Sequence, residues 1–305
     1  MTLILAAAHQ AGWLGQAIDL SVEWLLANAQ GLFDLIKVSV LALVSVTEMV
    51  LEWPPAWLFA LITAALGFWR VNGGFALFVL LGFNLVLAMA LWSEMIATLS
   101  LVLTASSLAL LIGLPLGILS ARSRLVWRLV RPCLDLMQTM PAFVYLIPAV
   151  MLFSTGAVPS ILATLIFAMP PVVRLTHLGI VQVPDDLIEA GRSFGCSDRQ
   201  LLWKVQMPNA VPTVMTGVNQ TIMLSLSMVV IASMIGGGGL GDVVLRGIQQ
   251  LDVGMGFEGG IAVVILAVIL DRLSQSFAGR RGSSLQQLLR AWIAPVSYTH
   301  LTLPT

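Results

Sequence analysis

Charge is scarce in this 305-residue chain: Asp, Glu, Lys and Arg make up 10% of it, against about 25% in soluble domains. The 15 basic and 15 acidic residues cancel, so there is no basic surface on which nucleic acid could bind. Cysteine is limited to Cys133 and Cys196. Both fall in segments assigned below to the cytoplasm, which excludes a disulfide framework and a cysteine metal site. The three histidines, His9, His177 and His300, are too far apart to show metal-ligand spacing. No nucleophile and base are paired in a way that suggests a membrane enzyme. The apolar start, Met1 to Ala8, lacks the basic residues of a secretory signal. What the chain does have is apolar bulk: 58% hydrophobic residues and a mean hydropathy of +0.96. With long apolar runs, this composition describes an all-α, polytopic integral membrane protein.

Seven spans are expected: Pro55–Trp69, Phe75–Trp92, Met95–Ala121, Leu136–Phe153, Gly156–Val173, Ala210–Ile235 and about Phe257–Leu270. The first is short. A preceding helix over 32–52 has an uncharged run of only ten residues, Val38 to Thr47, which suits an interfacial or scaffold role better than a crossing. Seven spans starting outside leave 13 of the 15 Arg and Lys residues in the cytoplasm, with only Lys37 and Arg246 outside. This asymmetry orients the protein with its N-terminus out and its C-terminus in. Trp53, Trp57, Trp69 and Trp92 fall at predicted span ends, as interfacial aromatics do. The domain plan is an N-terminal segment over 1–54, two accessory spans over 55–93, a core over 94–278 and a cytoplasmic tail over 279–305. The last ten residues, from Val296 to Thr305, have an unusual composition for such a tail and read as a non-native extension.

The most polar internal segment lies between the fifth and sixth spans. Pro184 and Asp185 break the preceding span, and Asp186 and Glu189 have capping-box spacing, so a helix is expected from Leu187. Leu187, Ala190, Gly191 and Phe194 would share one face. Gly195 suits a left-handed C-terminal cap. Ser197 and Gln200 repeat the capping-box spacing, predicting a second short helix that runs toward Met207 and stops before Pro208. The small residue at 191 would let a partner approach closely. In this segment Glu189-Ala190-Gly191 is followed after three residues by Gly195, and after nine more by Val205-Gln206-Met207-Pro208. It resembles the cytoplasmic coupling loop of ABC-importer permeases, Glu-Ala-Ala, three residues, Gly, nine residues, Ile, any residue, Leu-Pro. Gly191, Val205 and Met207 are conservative departures from that pattern.

Polar groups also interrupt the spans. Gln138, Thr139 and Tyr145 lie near Pro141 and Pro148, and Asn219, Gln220 and Thr221 lie in a later span. Such groups at membrane depth turn toward a bundle interior or a cavity, either to tie helices together or to border a path. Gly236 to Gly239 form a loop too dense in glycine to be anything but flexible or tightly folded. It lacks the Lys-Ser/Thr ending of a phosphate loop. The segments Gln138-Thr139-Met140-Pro141-Ala142-Phe143-Val144-Tyr145, Val218-Asn219-Gln220-Thr221, Leu226-Ser227-Met228-Val229-Val230-Ile231-Ala232 and Ile269-Leu270-Asp271-Arg272-Leu273 are similar to the glycine betaine/proline betaine importer permeases. The similarity covers about residues 90–278, is looser over 15–90 and is absent after 290.

The resemblance implies a type I ABC-importer permease fold in the bacterial inner membrane. It implies a transport subunit rather than an enzyme, with no metal or cofactor of its own and ATP used by a partner. Its partners would be an ABC ATPase dimer, an extracytoplasmic substrate-binding protein, the lipid bilayer and a second copy of the chain. The coupling residues would be Glu189, Ala190, Gly191, Gly195, Val205, Met207 and Pro208. The substrate path would be bordered by Gln138, Thr139, Pro141, Tyr145, Asn219 and Gln220. The substrate would be a betaine, with choline, methionine or another amino acid as alternatives within the class. An ion-coupled secondary transporter is disfavoured, because the central parts of the spans lack ionisable residues and no inverted repeat is visible.

Overall fold

The computed structural model describes residues 27–277 together with Leu20 and Trp24. His9, His300, the tail over 279–305 and its basic residues Arg280, Arg281 and Arg290 lie outside the described residues. Within them the fold is helical throughout, with no strand. The chain begins with α1 (Gln30–Glu52), α2 (Ala56–Arg70), α3 (Gly73–Ala88) and α4 (Trp92–Arg122). It continues with α5 (Arg124–Thr139), α6 (Ala142–Phe153), α7 (Ala157–Val181) and α8 (Asp185–Ser193). A three-residue turn, α9 (Asp198–Gln200), passes through a π-helical stretch (Leu201–Gln206) into α10 (Met207–Ser227). The order closes with α11 (Val229–Ser233), α12 (Leu240–Gln250) and α13 (Val253–Phe277).

Four helical stretches are long and apolar enough to cross a membrane: α4, α7, the run Asp198–Ser233, and α13. A fifth is broken. The expected straight span over Leu136–Phe153 is instead α5 and α6 meeting at 99°. The cause is local. Pro141 cannot donate to the helix ladder and forces Met140 out of the helical region, to ψ 132°. The two accessory helices, α2 and α3, are 15 and 16 residues long, below the usual spanning length of about 17–25. The seven expected spans therefore divide into four long helices, one elbow and two short apolar helices.

The centre of the bundle is α7, flanked by α4 and α10. Close packing here depends on missing side chains. A Cβ on Gly113 would lie 2.5 Å from Val172, and one on Gly217 would lie 3.0 Å from the Val172 backbone. Small residues on opposite sides of α7 thus let both neighbours approach its backbone, as membrane helices do where lipid offers no hydrophobic drive for association. Pro115, Pro170 and Pro171 sit inside these helices, tolerated where neighbouring helices and side chains satisfy the freed backbone groups.

A separate apolar core joins α3, α4, α12 and α13 through Val79, Phe83, Val86, Met95, Ile96, Leu240 and Leu266. Trp92 meets Phe59 and Phe83 edge-on at 5.7 and 5.8 Å. Of the four interfacial tryptophans expected, Trp53, Trp57 and Trp69 are exposed, whereas Trp92 packs into this core. α1 lies against the bundle. Its Val40 and Val44 are buried against Leu101, Ala105 and Phe153, and Ser100 Oγ donates to the Val44 carbonyl at 3.4 Å. The glycine loop is tightly folded. Gly236, Gly238 and Gly239 have positive φ, and Leu240 N donates to Thr98 Oγ1 at 2.7 Å, pinning the loop to α4.

Candidate functional site: a two-helix loop and a polar cavity on one continuous helix

The loop between α7 and α10 forms the expected corner, with different ends. α8 starts at Asp185 after Pro184, and its N-terminus has no side-chain cap. The Asp186–Glu189 capping box does not form, because Pro184 supplies the bend and Asp185 and Asp186 already stand in the first turn, where a carboxylate favours the helix N-terminus. At the other end the cap is as expected. Gly195 has φ +78°, Gly195 N donates to the Arg192 carbonyl at 2.9 Å, and Cys196 N donates to the Gly191 carbonyl at 3.1 Å. These paired bonds make a Schellman motif. Ser197 and Gln200 then close a complete capping box: Gln200 N donates to Ser197 Oγ, and Ser197 N donates to Gln200 Oε1.

Two expectations for this loop are corrected. The helix that starts at Asp198 does not stop before Pro208. Met207 N donates to the Leu202 carbonyl, five residues back. This wider turn carries the helix into Pro208, whose ring and missing N–H suit the first turn of α10. The result is one run from Asp198 to Ser233, 36 residues long. The small residue at 191 also serves a different neighbour. Gly191 is buried, and a Cβ there would lie 2.8 Å from Leu201 Cδ1 and 3.4 Å from Val205 Cγ2. Gly191 therefore locks α8 onto the π-helical stretch of its own chain.

Among its exposed charged residues the loop also presents large apolar side chains to its surroundings. Phe194 is 88% exposed, Trp203 55% and Leu187 42%. Glu189, Ala190, Gly195 and Pro208 are exposed, and Val205 and Met207 are half-buried.

Further along the same helix, Asn219 and Gln220 enter a cavity of about 290 Å³ between α10 and α13. Thr216, Pro212 and Met223 complete the α10 wall, and Asp271 and Gln275 form the α13 wall. Gln275 Nε2 donates to Asp271 Oδ1 at 2.6 Å. Asn219 Oδ1 is buried and accepts no hydrogen bond among the described residues. Thr216 and Gln275 escaped the sequence reading, and Asp271 entered it only within a family-like segment and not as a site residue. The signal was a polar stripe at 216, 219 and 220 facing a polar pair at 271 and 275, each at helical spacing.

The other expected path residues lie apart from this cavity. Gln138, Thr139 and Pro141 are exposed at the elbow of α5 and α6, where the Thr139 hydroxyl donates to the Asp135 carbonyl. Arg174 pairs with Asp135 and ties the elbow to α7. Tyr145 is buried with Leu146, Ala163 and Met228, and its hydroxyl has no partner among the described residues. Among the described residues, no group of three or more His, Cys, Asp and Glu side chains could hold a metal ion.

Residues 113–283 match the family described as binding-protein-dependent transport system inner membrane component. The chain is 51% identical over 265 residues to the glycine betaine/proline betaine transport system permease protein ProW of Escherichia coli K12, covering 87% of this chain and 73% of the relative. It is 47% identical over 270 residues to the glycine betaine transport system permease protein OpuAB of Bacillus subtilis 168, covering 88% of this chain and 96% of that one. Among solved structures it resembles an inward-facing conformation of the MetNI methionine ABC transporter, with a TM-score of 0.55 at 20% identity, covering 60% of this chain and 92% of that one. At that identity the likeness shows the fold alone.

Proposed function

Because the chain belongs to the family of binding-protein-dependent transport system inner membrane components, we propose that it is the membrane-spanning permease of an ATP-driven importer for glycine betaine, proline betaine and similar osmolytes. The observation that supports the substrate is identity of 47–51% over most of the chain with two permeases named for betaine transport. Uptake of radiolabelled glycine betaine into proteoliposomes, containing the permease with its ATPase and a betaine-loaded binding protein, tests it. Saturable, ATP-dependent uptake is expected. Uptake of methionine or choline in its place would reassign the substrate.

In this reading two copies of the chain meet at the path, an ABC ATPase dimer docks on the cytoplasmic side, and a binding protein delivers substrate outside. ATP is bound and spent by the partner. The exposed Leu187, Phe194 and Trp203 supply apolar contact for the ATPase, with Glu189 and Ala190 beside them. Gly191, Gly195, Val205, Met207 and Pro208 shape the corner that presents this surface. Gln138, Thr139 and Pro141, exposed at the elbow, face the path with Asn219 and Gln220. The ring of Tyr145 backs the wall.

The mechanical coupling follows from chain continuity. α8 is clamped onto the π-helical stretch through Gly191, and that stretch runs into the helix that carries Asn219 and Gln220. Displacement of the loop by the closing ATPase dimer is therefore delivered to the cavity wall along a hydrogen-bonded rod rather than through a flexible linker. The cavity needs only a shallow preference for substrate, because a tight site would hold what it must release.

A further inference from the structure

We infer that Asp271 is the counter-ion for the cationic group of the substrate in a weak transit site between α10 and α13. The inference deepens the betaine reading and rests on it for the identity of the ligand. The site is a cavity of about 290 Å³ in which Asp271 is, among the described residues, the one ionisable lining residue, faced by Thr216, Asn219, Gln220 and Gln275. Asp271 follows directly on the expected last span, which ends at about Leu270, and it faces Pro212 and Thr216 near the start of the span expected over Ala210–Ile235, so the cavity lies toward the cytoplasmic end of the path. Within the described chain Asp271 makes no ion pair, and its side-chain partner is the neutral amide of Gln275, which holds one carboxylate oxygen at 2.6 Å.

The chemistry matches a small zwitterion. The Asp271 carboxylate attracts a quaternary ammonium, which offers no N–H and can be held by charge alone. The Gln220 amide can donate to a substrate carboxylate on the opposite wall, whereas the Thr216 hydroxyl donates to the Pro212 carbonyl at 3.0 Å. Among the described residues no aromatic side chain lines the cavity, so they supply no cation–π cage that would make the site tight. A site with charge complementarity and no cage favours entry of the cation without trapping it.

The test reads cavity charge separately from transport. In the assembled importer, with Cys133 and Cys196 replaced by serine, Thr216→Cys is labelled with a methanethiosulfonate carrying trimethylammonium or with one carrying a sulfonate. The cationic reagent should react faster, and Asp271→Asn should shrink that preference by about tenfold, as loss of a nearby unit charge in a partly dry cavity requires. Asp271→Glu should retain it. In parallel, Asp271→Asn should lower glycine betaine uptake by about tenfold, with ATP hydrolysis stimulated by the loaded binding protein kept. An unchanged reagent preference in Asp271→Asn overturns the inference, as does a Thr216→Cys thiol that neither reagent reaches. Loss of assembly in both Asp271 variants gives Asp271 a structural role and also overturns it. If the cationic preference depends on Asp271 while the parent protein takes up no betaine, the cation site stands and the betaine reading fails.

Discussion

Gly191 and Gly195 are separated by three residues and are glycine for unrelated reasons. At Gly191 the obstacle is Leu201, whose methyl lies 2.8 Å from where a Cβ would be. Because that methyl ends a flexible side chain, Gly191→Ala should cost about 1 kcal/mol or less, and Gly191→Leu about 1–3 kcal/mol through overpacking. At Gly195 space is open and the obstacle is φ +78°. There Gly195→Val should cost about 1–2 kcal/mol from backbone conformation alone. Thermal unfolding of the purified permease–ATPase complex checks both, and equal tolerance of alanine, leucine and valine would refute the packing account. Tyr145 poses the opposite case. A buried hydroxyl without a partner costs about 1–3 kcal/mol, so Tyr145→Phe should raise the unfolding temperature and keep uptake within about twofold. A sharp loss of uptake in an intact complex would instead put the hydroxyl on the substrate.

The run from Asp198 to Ser233 is what makes the loop and the cavity one device. If it acts as a rod, its rotational register matters. One alanine inserted after Gln206 turns everything beyond by about 100°, swinging Thr216, Asn219 and Gln220 away from α13 while leaving α8 and its exposed apolar residues in place. The ATPase should still co-purify and uptake should be lost. Uptake within twofold of the parent would mean that the loop and the cavity are not rigidly joined. Ser197→Ala weakens the start of the same rod by about 1 kcal/mol through loss of its cap. It should loosen the loop, seen as faster amide exchange over 198–203, before it affects the spans.

For the whole molecule, the distribution of basic residues predicts sidedness: Asp242 outside, Cys196 inside. With Cys133 and Cys196 replaced, Asp242→Cys should react with an impermeant maleimide on intact cells. A lone Cys196 should react only after the membrane is opened. The reverse pattern would invert the topology and place the loop where no ATPase could reach it.

Composition and local pattern determined a good deal of this protein. Scarce charge and long apolar runs established a helical membrane chain, and the Ser197 and Gly195 caps were readable because each depends on bonds within a few residues. The spacing from Glu189 to Pro208 marked the loop for the same reason. The tertiary structure decided what depends on neighbours distant in sequence. Pro141 made an elbow where a straight span was expected, while Pro208, equally able to break a helix, was carried through by a π-helical turn. The same residue type gave opposite results because one proline followed an extended residue and the other followed a widened helical turn. Gly191 looked like a place for a partner until Leu201 and Val205 filled it. Asp271 and Gln275 joined Asn219 and Gln220 only when α13 packed on α10. Their wide separation in sequence hides the pairing from any local rule, because it is the packing of the two helices that brings these side chains to one cavity.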